Sequence, residues 1–267
     1  MTIQTKIVDN QYIIYHEPLN TKSGVDCDVK RDVKSDLRLL DGSLFNSLFN
    51  PEYLLDQKKV YRQAVGRGQT YFFKHKQKDY VLKHYWRGGL VGKLNADFYF
   101  WNPFQNKHRK LQQTRAYQEF ILLTSLNALK LPAPAPIAAR ISYSTFGYRA
   151  DIITATLANT QSLVQLLTKN LADNIWFDIG TTIAKFHRHN IYHDDLNANN
   201  ILIDDCNKIF IIDFDKGKII DDIMAGPKKW KKQNLQRFLR SLNKEKAKNT
   251  KLYFSNENWQ QLLKGYQ

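Results

Sequence analysis

Apolar and polar positions along the chain follow two different periods, and the change between them divides it. Residues 1–56 mix short apolar pairs with charge and hold no sustained period, so they read as an N-terminal extension with one expected strand, Tyr12–Tyr15. From Val60 the pattern becomes strand-like. AVGRGQTYFF and DYVLKHY read as strand, glycine turn, strand and further strand, with alternation placing Val81, Lys83 and Tyr85 on one face. After a basic, aromatic stretch from Trp86 to Lys110, residues 111–129 take the helical period and put Ala116, Glu119, Leu123 and Leu126 on one side. LPAPAP at 131–136 ends that helix, because proline removes amide donors and fixes φ. Strands at Ile137–Tyr143 and Tyr148–Thr156, turning at Thr145–Gly147, are expected next.

Beyond Leu157 the texture turns helical. Ser162–Thr168 is a short helical segment, and Asn174–His189 carries Ile175, Ile179, Ile183 and Phe186 at helical spacing. A loop, IYHDDLNANN, leads into two short strands, ILID and KIFIID, with a turn around Asp205–Asn207, and the tail from Pro227 reads as helical and basic. The fold class expected is α+β, with residues 1–157 forming an extension, an antiparallel sheet and one helix, and residues 158–267 a mainly helical half.

Composition changes this picture little, but charge adds to it. With 43% hydrophobic and 24% charged residues the chain is not of the disordered class. Lys and Arg number 40 against 25 Asp and Glu, a formal +15, so the surface attracts a polyanion: nucleic acid, nucleotide or anionic lipid. Charge does not choose among the three. Cys27 and Cys206 have neither disulfide-framework nor zinc spacing, and a reducing cytoplasm is the simpler setting. The first residues do not read as a secretory signal, and no segment has the apolar length of a membrane-spanning helix.

The chemistry concentrates at His193-Asp194-Asp195-Leu196-Asn197-Ala198-Asn199-Asn200 and at Asp213-Phe214-Asp215 beyond the strand pair. Asn200 stands five residues after Asp195, and Asp213 eighteen. Phosphoryl transfer needs a carboxylate at the attacking hydroxyl and oxygen ligands that fix Mg2+ on the phosphates, and Asp195, Asn200 and Asp213 supply such oxygens. Taken singly, each also suits an Asx turn or the end of a strand. Upstream, Lys83 on a strand face and Glu119 on an apolar helix stripe are each costly to bury alone, and pairing resolves both costs. In a kinase-like site such a pair directs the lysine to the α- and β-phosphates; otherwise both are snorkelling surface residues. Gly66-Arg67-Gly68 suits a phosphate-covering hairpin, although a glycine turn alone is commonplace. His193 reads as a residue holding the loop rather than a proton carrier.

These motifs resemble the two-lobed protein-kinase-like fold and, within it, the bacterial lipopolysaccharide core kinases, the Kdo (3-deoxy-D-manno-octulosonic acid) kinase branch above all. The likeness is carried by AVGRGQTYFF, VLKHYWRGGLVGKL, RAYQEF, LPAPAPIAAR, YRADIIT, IYHDDLNANNILID, IIDFDKG and WKKQNLQRFLRSLNK. It implies ATP and Mg2+ as cofactors, Asp195 as base on the acceptor hydroxyl, Asn200 and Asp213 as Mg2+ ligands, Lys83 as phosphate-binding lysine and Glu119 as its partner. Gly66, Arg67 and Gly68 would form the phosphate loop. The implied acceptor is Kdo on a lipid A precursor, met at the cytoplasmic face of the bacterial inner membrane, whose anionic surface the basic tail (Lys228, Lys229, Lys231, Lys232, Arg237 and Arg240) and the 86–110 stretch would hold.

Asn197 stands where protein kinases usually have lysine, Asp215 where they have glycine, and no Ala-Pro-Glu segment follows; these departures favour a small-molecule or sugar acceptor over a peptide. A heptose or aminoglycoside kinase would share every one of these residues. A non-catalytic nucleic-acid-binding protein would account for the charge, but no nucleic-acid-binding motif accompanies it, and no nucleic acid partner is expected.

Overall fold

The computed structural model of the chain describes residues 3–8, 11–16, 46–65, 69–85, 99–100, 107–143, 147–220 and 227–267. The chain divides into two compact units, Met1–Phe120 with Ala135–Thr156, and Ile121–Pro134 with Leu157–Gln267.

The first unit contains β1 (Ile3–Val8), β2 (Gln11–His16), α1 (Pro51–Asp56), β3 (Val60–Val65), β4 (Gln69–His75), β5 (Lys78–His84), β6 (Tyr99–Phe100), α2 (Lys107–Gln112), the start of α3 (Arg115–Ala128), β7 (Pro136–Tyr143) and β8 (Gly147–Ala155). Its antiparallel sheet runs β1-β2-β7-β8-β5-β4-β3, with β6 also paired to β8. Alternation along β5 sends Tyr80 and Leu82 into a core with Phe49, Phe73, Ile137, Ile153 and, from α1, Leu54, and sends Lys83 to the other face. Asn50 starts α1 by accepting the Glu52 amide, with Pro51 at the first helical position.

Two expectations need correction here. The described start of the N-terminal extension is part of the sheet: β2 pairs with β7 from Gln11↔Ser142 to Tyr15↔Ala138, and Ile13 and Ile14 are both buried. The expected strand Tyr12–Tyr15 lies within β2; its place in the sheet was not read, because a strand covered on both faces shows no alternation. The helix expected over 111–129 is two helices. At the break the Thr114 hydroxyl donates to the Leu111 carbonyl (2.7 Å), and the Thr114 carbonyl accepts the Gln118 amide (3.0 Å) as α3 begins. The turn expected at Thr145–Gly147 lies largely outside the described residues.

The second unit holds the end of α3, β9 (Thr160–Ser162), α4 (Leu163–Leu166), α5 (Asp173–Arg188), β10 (Ile191–Tyr192), β11 (Ile201–Asp204), β12 (Ile209–Ile211), β13 (Lys218–Ile219), α6 (Pro227–Lys248) and α7 (Asn256–Tyr266). Residues 121–134, read from the sequence with the first half, group with this unit: Ile211 donates its amide to the Pro132 carbonyl (3.0 Å), and Asn127 Nδ2 donates to Pro134 O (3.2 Å). Ile175, Ile179, Ile183 and Phe186 of α5 are buried as their spacing predicts. Helices α5 and α7 approach through glycines. A Cβ on Gly180 would lie 2.0 Å from the Leu262 carbonyl oxygen, and one on Gly265 2.0 Å from that of Phe177. The helical tail is two helices, since Ser255 opens α7 with a capping box shared with Asn258.

Candidate active site

In the first unit, β5 carries Lys83 and α3 carries Glu119. Lys83 Nζ lies 3.0 Å from Glu119 Oε2 and 3.4 Å from Oε1. Tyr85, two residues on along the same strand face, donates its hydroxyl to Glu119 Oε2, and Lys83 Nζ stands 5.1 Å over the Tyr85 ring. The carboxylate, 5% exposed, is thus held by an ammonium and a phenol; Lys83 keeps 24% of its side chain exposed. Burial raises the strength of such a pair and the cost of breaking it. Gly66, Arg67 and Gly68 lie outside the described residues; the strands flanking them pair up to Val65↔Gln69.

The loop after β10, in the second unit, is fixed through His193. Its Nε2 faces the Ile212 carbonyl (2.9 Å) and its Nδ1 accepts the Asp195 amide (3.2 Å), a pattern that a neutral, Nε2-protonated imidazole satisfies. The Asp195 carbonyl accepts Asn197 Nδ2 (3.0 Å) and Asn200 Nδ2 (2.9 Å). Asn197 Oδ1 in turn caps the short 3₁₀ turn Ala198–Asn200 by accepting the amides of Asn199 and Asn200. These bonds fold residues 195–200 around the backbone of Asp195 and leave its carboxylate 40% exposed.

Strands β11 and β12 then bring the second aspartate back. The Ile212 amide donates to the Asn200 carbonyl (3.0 Å), so Asp213 follows directly on a backbone bond to Asn200. At Asp213 the backbone reverses with φ 64°, a left-handed conformation that aspartate tolerates better than most residues. Phe214 is buried beneath it, its ring 4.8 Å from that of His193 and 5.6 Å from that of Phe186. Asp213 is left exposed. Among the described residues no three His, Cys, Asp or Glu side chains cluster to hold a metal. The Asn200 and Asp213 pair is an all-oxygen donor set, which fits Mg2+, an ion that takes one or two protein ligands and fills its shell with phosphate oxygens and water.

One face of α6 grips this loop, and the sequence reading missed it. Trp230 meets the Tyr192 ring edge-on (6.1 Å), Asn234 bonds both backbone groups of His193, Arg237 Nη1 donates to Asp195 Oδ1 (3.4 Å), and Ser241 Oγ accepts the Ala198 amide (2.8 Å). Arg237, counted from sequence with a membrane-facing basic patch, is therefore on the loop, whereas Lys229, Lys232 and Arg240 are exposed. Asn234 is 1% exposed in the stripe Trp230, Asn234, Phe238, Leu242; an amide inside an apolar stripe was the available signal. Asn234 Oδ1 also meets His187 Nε2 (3.4 Å), whose Nδ1 accepts from the Tyr266 hydroxyl (2.8 Å). Burial, together with nearby Lys231 and His193, pushes the His187 pKa down to about 4 against the opposing Asn234 hydrogen bond. A second network passed over in the sequence is in the first unit: buried Asp151 joins His84 of β5 to Arg140 of β7, whose Nη2 donates to Asp151 Oδ2 (2.8 Å) and to Phe49 O (2.8 Å).

Residues 52–266 match the Lipopolysaccharide kinase (Kdo/WaaP) family. Among curated proteins, a 3-deoxy-D-manno-octulosonic acid kinase of Vibrio vulnificus is 40% identical over 222 residues, covering 83% of this chain and 89% of the relative. The kinase of that name from Haemophilus influenzae is 41% identical over 228 residues, 82% and 89% of the two chains, and that from Vibrio cholerae 41% over 201, 74% and 80%. With a family match over most of its length and relatives this similar along four-fifths of theirs, the chain belongs to the Lipopolysaccharide kinase (Kdo/WaaP) family.

Proposed function

We propose that this protein transfers the γ-phosphoryl group of ATP to a hydroxyl of Kdo on a lipid A precursor. The observation that carries the chemistry is the exposed Asp195 carboxylate, set on a loop whose backbone is bonded at His193, Asp195 and Ala198, with Asn200 bonded through its carbonyl to Ile212, the residue before Asp213. The acceptor comes from the relatives, each named as a kinase of that sugar acid.

In this reading Asp195 accepts the hydroxyl proton as the oxygen attacks phosphorus. Asn200 and Asp213 present the oxygens that hold Mg2+, which when bound neutralises charge on the phosphates. Lys83, kept in place by Glu119 and Tyr85, binds the α- and β-phosphates, with Gly66, Arg67 and Gly68 as the covering loop. No described helix is long and apolar enough to cross a membrane; the exposed Lys229, Lys232 and Arg240 of α6 hold the protein to the anionic surface at the cytoplasmic face of the inner membrane.

The test is incubation with Mg-ATP and a panel of acceptors: a Kdo-bearing lipid A precursor in vesicles, a heptosylated core, an aminoglycoside and a peptide, read by mass spectrometry. The Kdo acceptor alone should gain one phosphate, less readily as salt rises from 0.1 to about 1 M and the Debye length shrinks from about 10 to 3 Å. Transfer to heptose or aminoglycoside with none to Kdo would overturn the acceptor.

A further inference from the structure

We infer that Arg237 recognises the acceptor, its guanidinium taking the carboxylate of the sugar acid whose hydroxyl meets Asp195. This rests on the function just proposed and specifies which group of the acceptor is bound and by what. A hydroxyl acted on by Asp195 stands within hydrogen-bond reach of its carboxylate, roughly 3 Å. Arg237 Nη1 is 3.4 Å from the same carboxylate, so the guanidinium lies within the span of one sugar from the reacting oxygen.

Its position is not accidental. Three residues before it Asn234 is bonded to the His193 backbone, and four after it Ser241 accepts the Ala198 amide. The helix is therefore locked to the loop on both sides of Arg237. Asn234 and Ser241 hold backbone, whereas Arg237 meets the carboxylate itself and keeps 43% of its side chain exposed.

The contact with Asp195 is one that an acceptor can displace. It is a single bond longer than the 2.7–2.9 Å usual for charge-assisted pairs, between two side chains each about 40% exposed, the situation in which ion pairs are weak. A guanidinium has five donors in a planar fork that matches a carboxylate in two parallel bonds. The loop offers no substitute: residues 191–200 contain neither Lys nor Arg, and Asn197, where a lysine would serve, spends its amide on the Asp195 carbonyl and on the Asn199 and Asn200 amides.

The test compares two acceptors, a Kdo-bearing lipid A precursor and the same molecule with the Kdo carboxylate converted to the carboxamide, on wild type, Arg237→Met and Arg237→Lys. Wild type should prefer the acid by about 10- to 100-fold in kcat/KM, the range of hydrogen bonds to charged groups. Arg237→Met should lose that factor on the acid through the acceptor KM and treat the two acceptors alike, with the KM for ATP unmoved. Arg237→Lys, a point charge without the fork, should fall between. A Met variant that still prefers the acid as wild type does, or that loses kcat equally on both acceptors, would overturn the inference; the latter would place Arg237 on the transferred phosphate or on Asp195 alone. A wild type that phosphorylates neither acceptor would overturn the proposed function, and this inference with it.

Discussion

Acid should destabilise the second unit through His187, by an amount that its surroundings set. The ring sits between three helices: it belongs to α5, its Nε2 meets Asn234 Oδ1 of α6 (3.4 Å), its Nδ1 meets the Tyr266 hydroxyl of α7 (2.8 Å), and the Trp230 ring stands edge-on at 5.0 Å. Neutral imidazole with hydrogen on Nε2 satisfies both bonds, and the charged form must be desolvated beside Lys231 and His193. Its pKa is about 4 in the folded protein against 6.5 for the ordinary side chain. The difference, 6.5 − 4, multiplied by about 1.4 kcal/mol per unit, is about 3 to 4 kcal/mol.

The folded pKa is the lower one, so between pH 6.5 and about 4 the unfolded chain binds a proton that the folded chain does not. Stability from the neutral ring is fully present above pH 6.5 and is lost as pH falls toward about 4. Urea unfolding at steps from pH 8 to 4.5 would measure this in wild type and in His187→Gln, which keeps a donor and an acceptor but does not titrate. Wild type should lose about 2 to 3 kcal/mol more than the variant over that range, with m unchanged. Other titrating groups, buried His16 among them, act in both proteins and cancel in the difference. Identical pH dependence in the two would refute the argument.

Three further outcomes follow from the geometry. Asp195→Ala should abolish turnover while leaving Mg-ATP binding largely intact, whereas Asp213→Ala should weaken Mg-ATP binding as well, as read by nucleotide titration calorimetry; near wild-type turnover in Asp195→Ala would remove the base assignment. Lys83→Met and Glu119→Ala should each impair kcat/KM, and the double variant should lose far less than the product of the two losses, since the pair is one unit at 3.0 Å; full additivity would mean they act apart. Gly180→Ala should destabilise by about 1 to 3 kcal/mol or more in urea unfolding, because its Cβ would stand 2.0 Å from a backbone oxygen of α7 that cannot move alone; an unchanged midpoint would show the helices free to separate.

What was legible in the sequence was local. Strand alternation put Lys83 on one face of β5, helical spacing put Glu119 among apolar residues of α3, and their meeting at 3.0 Å follows from the cost of burying either alone. The order His193, Asp195, Asn200, Asp213 was visible as spacing, and the structure adds that His193 ties the loop to the Ile212 carbonyl, one residue before Asp213. Of the N-terminal hairpin only the strand at Tyr12–Tyr15 was legible; β1 and the pairing of β2 with β7 were not, because Ile13 and Ile14 are both buried and give no period. Nor was the break before α3, which depends on a hydroxyl that competes with the backbone at Thr114.

The basic tail shows why a count of charges misleads where a helix has more than one neighbour. At about 100° per residue, Trp230, Asn234, Arg237 and Ser241 fall within an arc of about 60° on α6, the arc that meets the loop. Lys229, Lys232 and Arg240 fall on its other flank and are exposed. A single number, +15, contains both groups, so a reading from charge sent Arg237 to the membrane with its neighbours. What separates them is the partner: Asp195 lies forty-two residues away in sequence and is brought to Arg237 by Asn234 and Ser241, which bond backbone groups and leave no trace in composition. Polar, uncharged residues within a basic helix were therefore the better guide to its working face. A buried Asn must find partners for its amide, and on α6 those partners are the two backbone groups of His193.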